Sequence, residues 1–204
     1  MDEQVMGAMQ KWPNVPAVYG WLSLNEQGEW LLHTDGRARD GQDGEKIANE
    51  QIRSFMNRNY AATEKGEWFF QNGPQRVFAD LARAPFIVRL ADDSATLVTH
   101  NGLTVTQVTA WILSDTGQLY MQTEHGAGML AGRDMGLLTP RLLVSTKSTL
   151  DELPLDQPHL ESLEAGNVLQ VSLDGKAEFT APMRWQTDRQ IPDALGFVRQ
   201  PVAS

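Results

Sequence analysis

The sequence predicts an α+β fold, predominantly antiparallel β. About ten strands pair in hairpins that close as a barrel or pack as a sandwich, with one main amphipathic helix near 47–59. Three observations carry this expectation. Ile47, Ala48, Ile52, Phe55, Met56 and Tyr60 recur at helical spacing, with Glu50, Arg53 and Asn57 on the other side. Short runs of apolar and polar residues are separated by turn pairs such as Asn101–Gly102 and Asp174–Gly175. An acid-x-Gly turn recurs before Glu29, Glu67 and Gln118, with glycine supplying a positive φ.

In chain order, Val5, Met6, Met9 and Trp12 form one stripe of a short docking helix, stopped by Pro13 and Pro16. Tyr19–Leu24 and Glu29–His33 are strands. The polar, glycine-rich stretch from Thr34 to Gly44 has no calcium-loop spacing and is expected to be mobile. After the helix come a strand Glu67–Gln71 and its partner from Arg76. Pro74 lacks an N–H, so a two-residue Asn72–Gly73 turn is disfavoured and a wider loop is expected. Trp68, Phe70, Val77 and Ala79 share one face; Phe69, Gln71, Arg76 and Phe78 share the other.

Phe86–Leu90, Ala95–His100, Leu103–Leu113, Gln118–Glu124 and Leu142–Ser145 continue the strands. His159–Ala165 is a short helix ended by Gly166. Val168–Leu173 and Lys176–Thr180 form a last hairpin, and the tail from Arg199 frays. Residues 1–204 are expected to form a single compact unit. Any subdivision falls at 91–94, between a helix-plus-aromatic-hairpin half, 1–92, and a strand-rich half, 93–204.

The 41% hydrophobic content suits a folded domain. With no cysteine there is no disulfide, thiolate metal site or cysteine nucleophile. The net charge of −9, without a basic block, argues against nucleic acid or an anionic membrane as partner. No apolar run approaches the roughly 20 residues of a membrane-spanning helix, and Met1–Gln4 does not open a signal peptide. A cytoplasmic location follows as the expectation.

Phe55-x-Asn57-Arg58-Asn59-Tyr60, followed by Gly66-x-Trp68-Phe69-Phe70-Gln71-Asn72-Gly73-Pro74-Gln75-Arg76-Val77, resembles a family of uncharacterised proteobacterial proteins of this size, a domain of unknown function. The resemblance covers about residues 20–90. It implies a small soluble bacterial protein and transfers no catalytic residue.

Chemistry is sparse. His33, His100, His125 and His159 lie too far apart for a local metal-binding face, so neither metal nor cofactor is expected. Ser145–Thr149 places hydroxyls near Lys147 without the Ser-x-x-Lys spacing. Asp92–Asp93 and Asp151–Glu152 are solvated acids.

Two sites and three readings remain. In the first, a binding or interaction module for a small molecule or protein uses Arg76, Tyr60, Asn59, Arg58 and Gln71 at the helix end and hairpin tip, with Arg76 gripping a carboxylate or phosphate. In the second, a cofactor-independent enzyme uses His125 and Glu124 beside the glycine-rich loop 126–132, with Gly126 and Gly128 presenting backbone N–H groups. In the third, the chain is a homodimer joined through a sheet edge or a Trp/Met surface.

Overall fold

A computed structural model describes residues 1–40, 43–92, 95–145 and 152–203. Asp93, Asp151 and the Thr146–Thr149 hydroxyl and lysine run lie outside them. The α+β class is as the sequence predicts. The chain divides into two compact units, Met1–Pro85 with Gly196–Ser204, and Phe86–Leu195.

The first unit contains helices α1 (Glu3–Lys11) and α2 (Glu50–Arg58). Its strands are β1 (Val18–Leu24), β2 (Trp30–Leu32), β3 (Glu45–Lys46), β4 (Tyr60–Ala62), β5 (Trp68–Asn72) and β6 (Gln75–Leu81). They form one sheet in the order β3-β2-β1-β6-β5-β4, in which β1 and β6 run parallel. Helix α2 begins three residues later than its apolar spacing suggests. Asn49 caps it by accepting from the N–H groups of Gln51 and Ile52. Ile47 instead donates its N–H to Trp30 O in extended chain, and Ile52 is half exposed.

The aromatic layer sits on the α2 face of this sheet. Phe55 meets Phe70 edge-on at 5.6 Å. Tyr60 lies between Trp30 at 5.1 Å and Trp68 at 4.8 Å, and Trp30 Nε1 donates to Asn57 Oδ1 at 2.9 Å. Such ring pairs add about 0.5–1.5 kcal/mol each beyond area burial.

The β5–β6 turn differs from expectation. Asn72 pairs with Gln75, so two residues turn the chain, and they are Gly73 and Pro74. Gly73 has φ +56 and Pro74 takes the second place, where a negative φ suits a type II′ turn and no N–H is required. The face assignment survives, because the loop still holds an even number of residues.

The second unit contains β7 (Phe86–Leu90), β8 (Leu97–Thr99), β9 (Thr104–Val105), β10 (Val108–Ser114), β11 (Leu119–Thr123), β12 (Gly126–Leu130), β13 (Leu142–Ser145), β14 (Glu152–Pro154), β15 (Leu169–Leu173) and β16 (Ala181–Gln186). Helices α3 (Met135–Leu138), α4 (Gln157–Glu164) and α5 (Ile191–Leu195) connect or follow them. The sheet order is β14-β13-β15-β16-β10-β11-β12-β7-β8-β9, parallel at β10–β16 and β7–β12. Trp111, Tyr120, Met121 and Leu130 are fully buried at its centre.

Three expectations change here. The glycine-rich segment is not a loop: Gly126–Leu130 is β12, and a Cβ on Gly128 would stand 2.7 Å from Val88 Cγ2 of the neighbouring strand. Glycine at 128 therefore serves close strand packing. The partner of β15 is β16, because 177–179 form a 3₁₀ turn before it. The tail is held: Leu81 N donates to Arg199 O at 2.7 Å, Arg199 Nε to Arg83 O at 3.2 Å, and Pro201 is buried.

The recurrent turn is one hydrogen-bonded device. Asn25, Thr63 and Ser114 each pair by backbone with the residue four later, and Gly28, Gly66 and Gly117 each donate N–H back to them. The side chain of the first residue also accepts from that fourth N–H: Asn25 Oδ1 from Glu29, Thr63 Oγ1 from Glu67, Ser114 Oγ from Gln118. Thr99 to Leu103 repeats the arrangement around Gly102. The defining residue is thus the Asn, Thr or Ser before the acid, which offers the backbone a local acceptor. Among the described residues no helix is long and apolar enough to cross a membrane.

Candidate functional site

On the sheet face opposite α2, four polar side chains of the first unit converge. Ser23 and Asp80 are register partners across the parallel β1–β6 pair. His33 follows β2 and reaches the same face, its Nε2 sharing a 2.8 Å hydrogen bond with Ser23 Oγ. Arg39, in the 3₁₀ turn Ala38–Asp40, donates from Nε to Asp80 Oδ1 at 3.4 Å. His33 is 5% exposed and Asp80 6%.

Two glycines make this assembly possible. Gly20, at φ +77, lies so close to the following loop that a Cβ would be 2.4 Å from Gly36 O. A Cβ on Gly36 would meet Trp21 Nε1 at 2.9 Å. Gly36 N also donates to His33 O at 3.0 Å, and Asp35 accepts from Arg37 N and Nε. The described part of the loop expected to be mobile is therefore folded down on β1, which brings Arg39 to Asp80.

Asp80 is the unusual member. Its Oδ2 is buried and has no protein partner among the described residues. Burial raises its pKa above the usual carboxylate value, and the charges on Arg39 and, to a smaller extent, His33 only partly oppose this. Its ion pair is with Arg39 and not with His33, so the Ser–His–Asp set is not arranged as a catalytic triad.

The sequence-nominated residues are largely engaged in local structure. Asn59 is buried; its Oδ1 accepts from Asp2 N at 2.8 Å and its Nδ2 donates to Phe55 O at 2.9 Å. Arg58 pairs with Asp2 at 3.3 Å and donates to Ser54 Oγ at 2.8 Å; with Glu50, Gln51 and Ser54 it lines an open depression. These bonds from Arg58 and Asn59 hold the Asp2 carboxyl below its ordinary pKa. Tyr60 donates to Pro85 O at 3.1 Å, and burial pushes its phenol well above the usual value. Gln71 Nε2 donates to Gly73 O at 2.9 Å, while its buried Oε1 has no protein partner among the described residues. Arg76 is exposed, its guanidinium 4.9 Å from the Phe69 ring centre.

In the second unit, His125 Nε2 bonds Thr104 O at 2.8 Å and stands 3.5 Å from Glu124. Glu124 accepts from Thr106 N at 2.6 Å, Thr106 Oγ1 at 2.7 Å and Gln107 N at 3.3 Å. Burial opposes ionisation of Glu124, but these hydrogen bonds outweigh it and its pKa lies below the ordinary value. The pair fastens the β9–β10 connection to the β11–β12 turn. Gly126 has φ +129 at that turn, and Gly128 sits within β12.

Over residues 1–202 the sequence matches the family DUF2944, described as "Protein of unknown function (DUF2946)". The chain belongs to this family. No curated protein matches it significantly in sequence. Two solved structures are similar. One is a DUF1285 family protein from Shewanella baltica OS155, 16% identical, with TM-score 0.40, covering 58% of this chain and 89% of that one. The other is a DUF1285 family protein from Silicibacter pomeroyi DSS-3, 14% identical, with TM-score 0.47, covering 84% of each chain.

Sequence reasoning missed Ser23, His33, Arg39 and Asp80 as a group. Part of the signal was local: the hairpin turning at Asn25–Gly28 puts Ser23 and His33 on one face. Asp80 joins them only through a parallel pairing more than fifty residues away in sequence, which no local pattern encodes.

Proposed function

We propose that this family member is a binding module for a small molecule, with its site at Ser23, His33, Arg39 and Asp80. The observation that carries the reading is Asp80 Oδ2, an acid oxygen buried without a protein partner among the described residues. Leaving a buried acceptor unpaired costs about 1–3 kcal/mol, more when it is charged. A ligand donor completes the set.

Gln71 Oε1 is a second buried acceptor, but Gln71 stands beside Arg76, whose guanidinium lies on Phe69. Asp80 instead has a hydroxyl, an imidazole and a guanidinium around it. Arg58, Asn59, Tyr60, Gln71 and Arg76 then frame the unit that carries the site. A proteobacterial origin and a cytoplasmic location go with this reading, as does the absence of nucleic acid or membrane among its partners.

Native mass spectrometry of protein purified gently from a bacterial host tests the proposal. Excess mass on the wild type that disappears on denaturation, and is absent from Asp80→Asn, supports it. A bare monomer, or excess mass retained equally by Asp80→Asn, contradicts it. A dimer without excess mass moves the function to the interaction between copies.

A further inference from the structure

Resting on that reading, we infer that the ligand is a free α-amino acid, held at its ammonium by Asp80 and at its carboxylate by Arg39. A buried unpaired acceptor and a solvent-facing guanidinium lie side by side. Asp80 presents Oδ2, an acceptor shielded from solvent and without a protein partner among the described residues. Arg39 uses only Nε, in a 3.4 Å contact with Asp80 Oδ1, which leaves its two terminal nitrogens without a protein partner among the described residues. A guanidinium binds a carboxylate best through a parallel pair of N–H donors, and that fork is the part of Arg39 left unused.

The Arg39–Asp80 contact is longer than the 2.7–3.2 Å of a well-made hydrogen bond, so turning the guanidinium toward a ligand gives up little. The Arg39 side chain is also 32% exposed against 8% for Asp80, so Arg39 is the member of the pair that a ligand meets from solvent. A zwitterion with ammonium and carboxylate on one carbon matches an acid and an arginine already within contact of each other. Ser23 Oγ, next to Asp80 across the β1–β6 pair and oriented by His33, is placed as a further acceptor for the ammonium. A lone amine leaves the arginine fork unused, and a lone carboxylate leaves Asp80 Oδ2 unpaired.

The test is isothermal titration of the full chain with each of the twenty free L-amino acids. The best binder is then compared with its N-acetyl and methyl ester derivatives. At least one free amino acid is expected to bind, and each derivative to bind at least tenfold more weakly. Asp80→Asn is expected to bind the free and N-acetyl forms alike, and Arg39→Gln to bind the free acid and its ester alike. Arg39→Lys, which keeps the charge and loses the fork, is expected to fall between Arg39→Gln and the wild type. Circular dichroism and thermal melting check that each variant is folded, and the derivative series on the wild type needs no variant.

Blocked derivatives binding as well as the free acid would overturn the inference. So would a ligand retained in native mass spectrometry, dependent on Asp80, that carries only one of the two groups; that result would leave the site reading standing. Failure of all twenty amino acids, together with no ligand mass on the wild type, would overturn both.

Discussion

Asp80 and His100 both have their protonation shifted by burial, and they shift stability in opposite directions. Burial raises the pKa of Asp80 from 3.8, so the native state holds its proton more tightly than the unfolded chain does. Its contribution is full below 3.8 and is lost as pH rises through the native value. Asp80→Asn is therefore expected to stabilise the ligand-free protein at pH 7 by about 1 kcal/mol, with the gain shrinking as pH falls through the native value and absent at about pH 3. Urea unfolding at both pH values checks this. His100 accepts a hydrogen bond from Ile87 N at 3.3 Å, and burial, aided by the charge of Arg89, lowers its pKa to about 3 from 6.5. The unfolded chain then binds the extra proton, so stability from His100 is full above 6.5 and falls as pH drops toward 3. Wild type is expected to lose up to about 1.4 kcal/mol per pH unit in that window, and His100→Gln to flatten the slope. At this scale the sequence showed four isolated histidines and scattered acids. Which of them would be buried depended on strands distant in sequence.

The turns give the element scale its sharpest comparison. Gly66 and Gly117 occupy the same place in the same device, at φ +78 and +75. A Cβ at 117 meets nothing within 4 Å, whereas at 66 it would stand 2.3 Å from Gly196 O. Gly117→Ala is expected to cost about 1–2 kcal/mol, the price of the left-handed conformation, and Gly66→Ala distinctly more because backbone must shift. Chemical denaturation of the two variants measures the difference. Elements with local signatures were legible in the sequence: the body of helix α2, the aromatic strands and the Gly28, Gly66 and Gly117 turns; Tyr60, expected on the helix stripe, instead opens β4. Strand β16 was not, since Pro182 and Arg184 interrupt its apolar run. Strand β12 was hidden because its glycines imitate a loop.

At the scale of the whole molecule, the chain leaves its first unit at Pro85 and returns to it at Gly196. Phe197, 4% exposed, and the Val198 N to Gly66 O bond of 2.9 Å anchor that return. Phe197→Ala is expected to destabilise the first unit by about 3–5 kcal/mol, seen as early loss of hydrogen-exchange protection in β5 and β6. Nothing in the sequence marked the return, because a segment that completes a distant unit carries no local periodicity. The same non-locality hid the site: β1 and β6 are neighbours only in the folded sheet, and only there do Ser23 and Asp80 meet.

The most direct measurement is the electron density around Asp80 Oδ2 in a crystal of protein purified without added small molecules. The site reading predicts a non-water donor within about 3.2 Å of that oxygen, also in contact with Arg39. A single ordered water there, or a direct protein hydrogen bond closing off Oδ2, would contradict it.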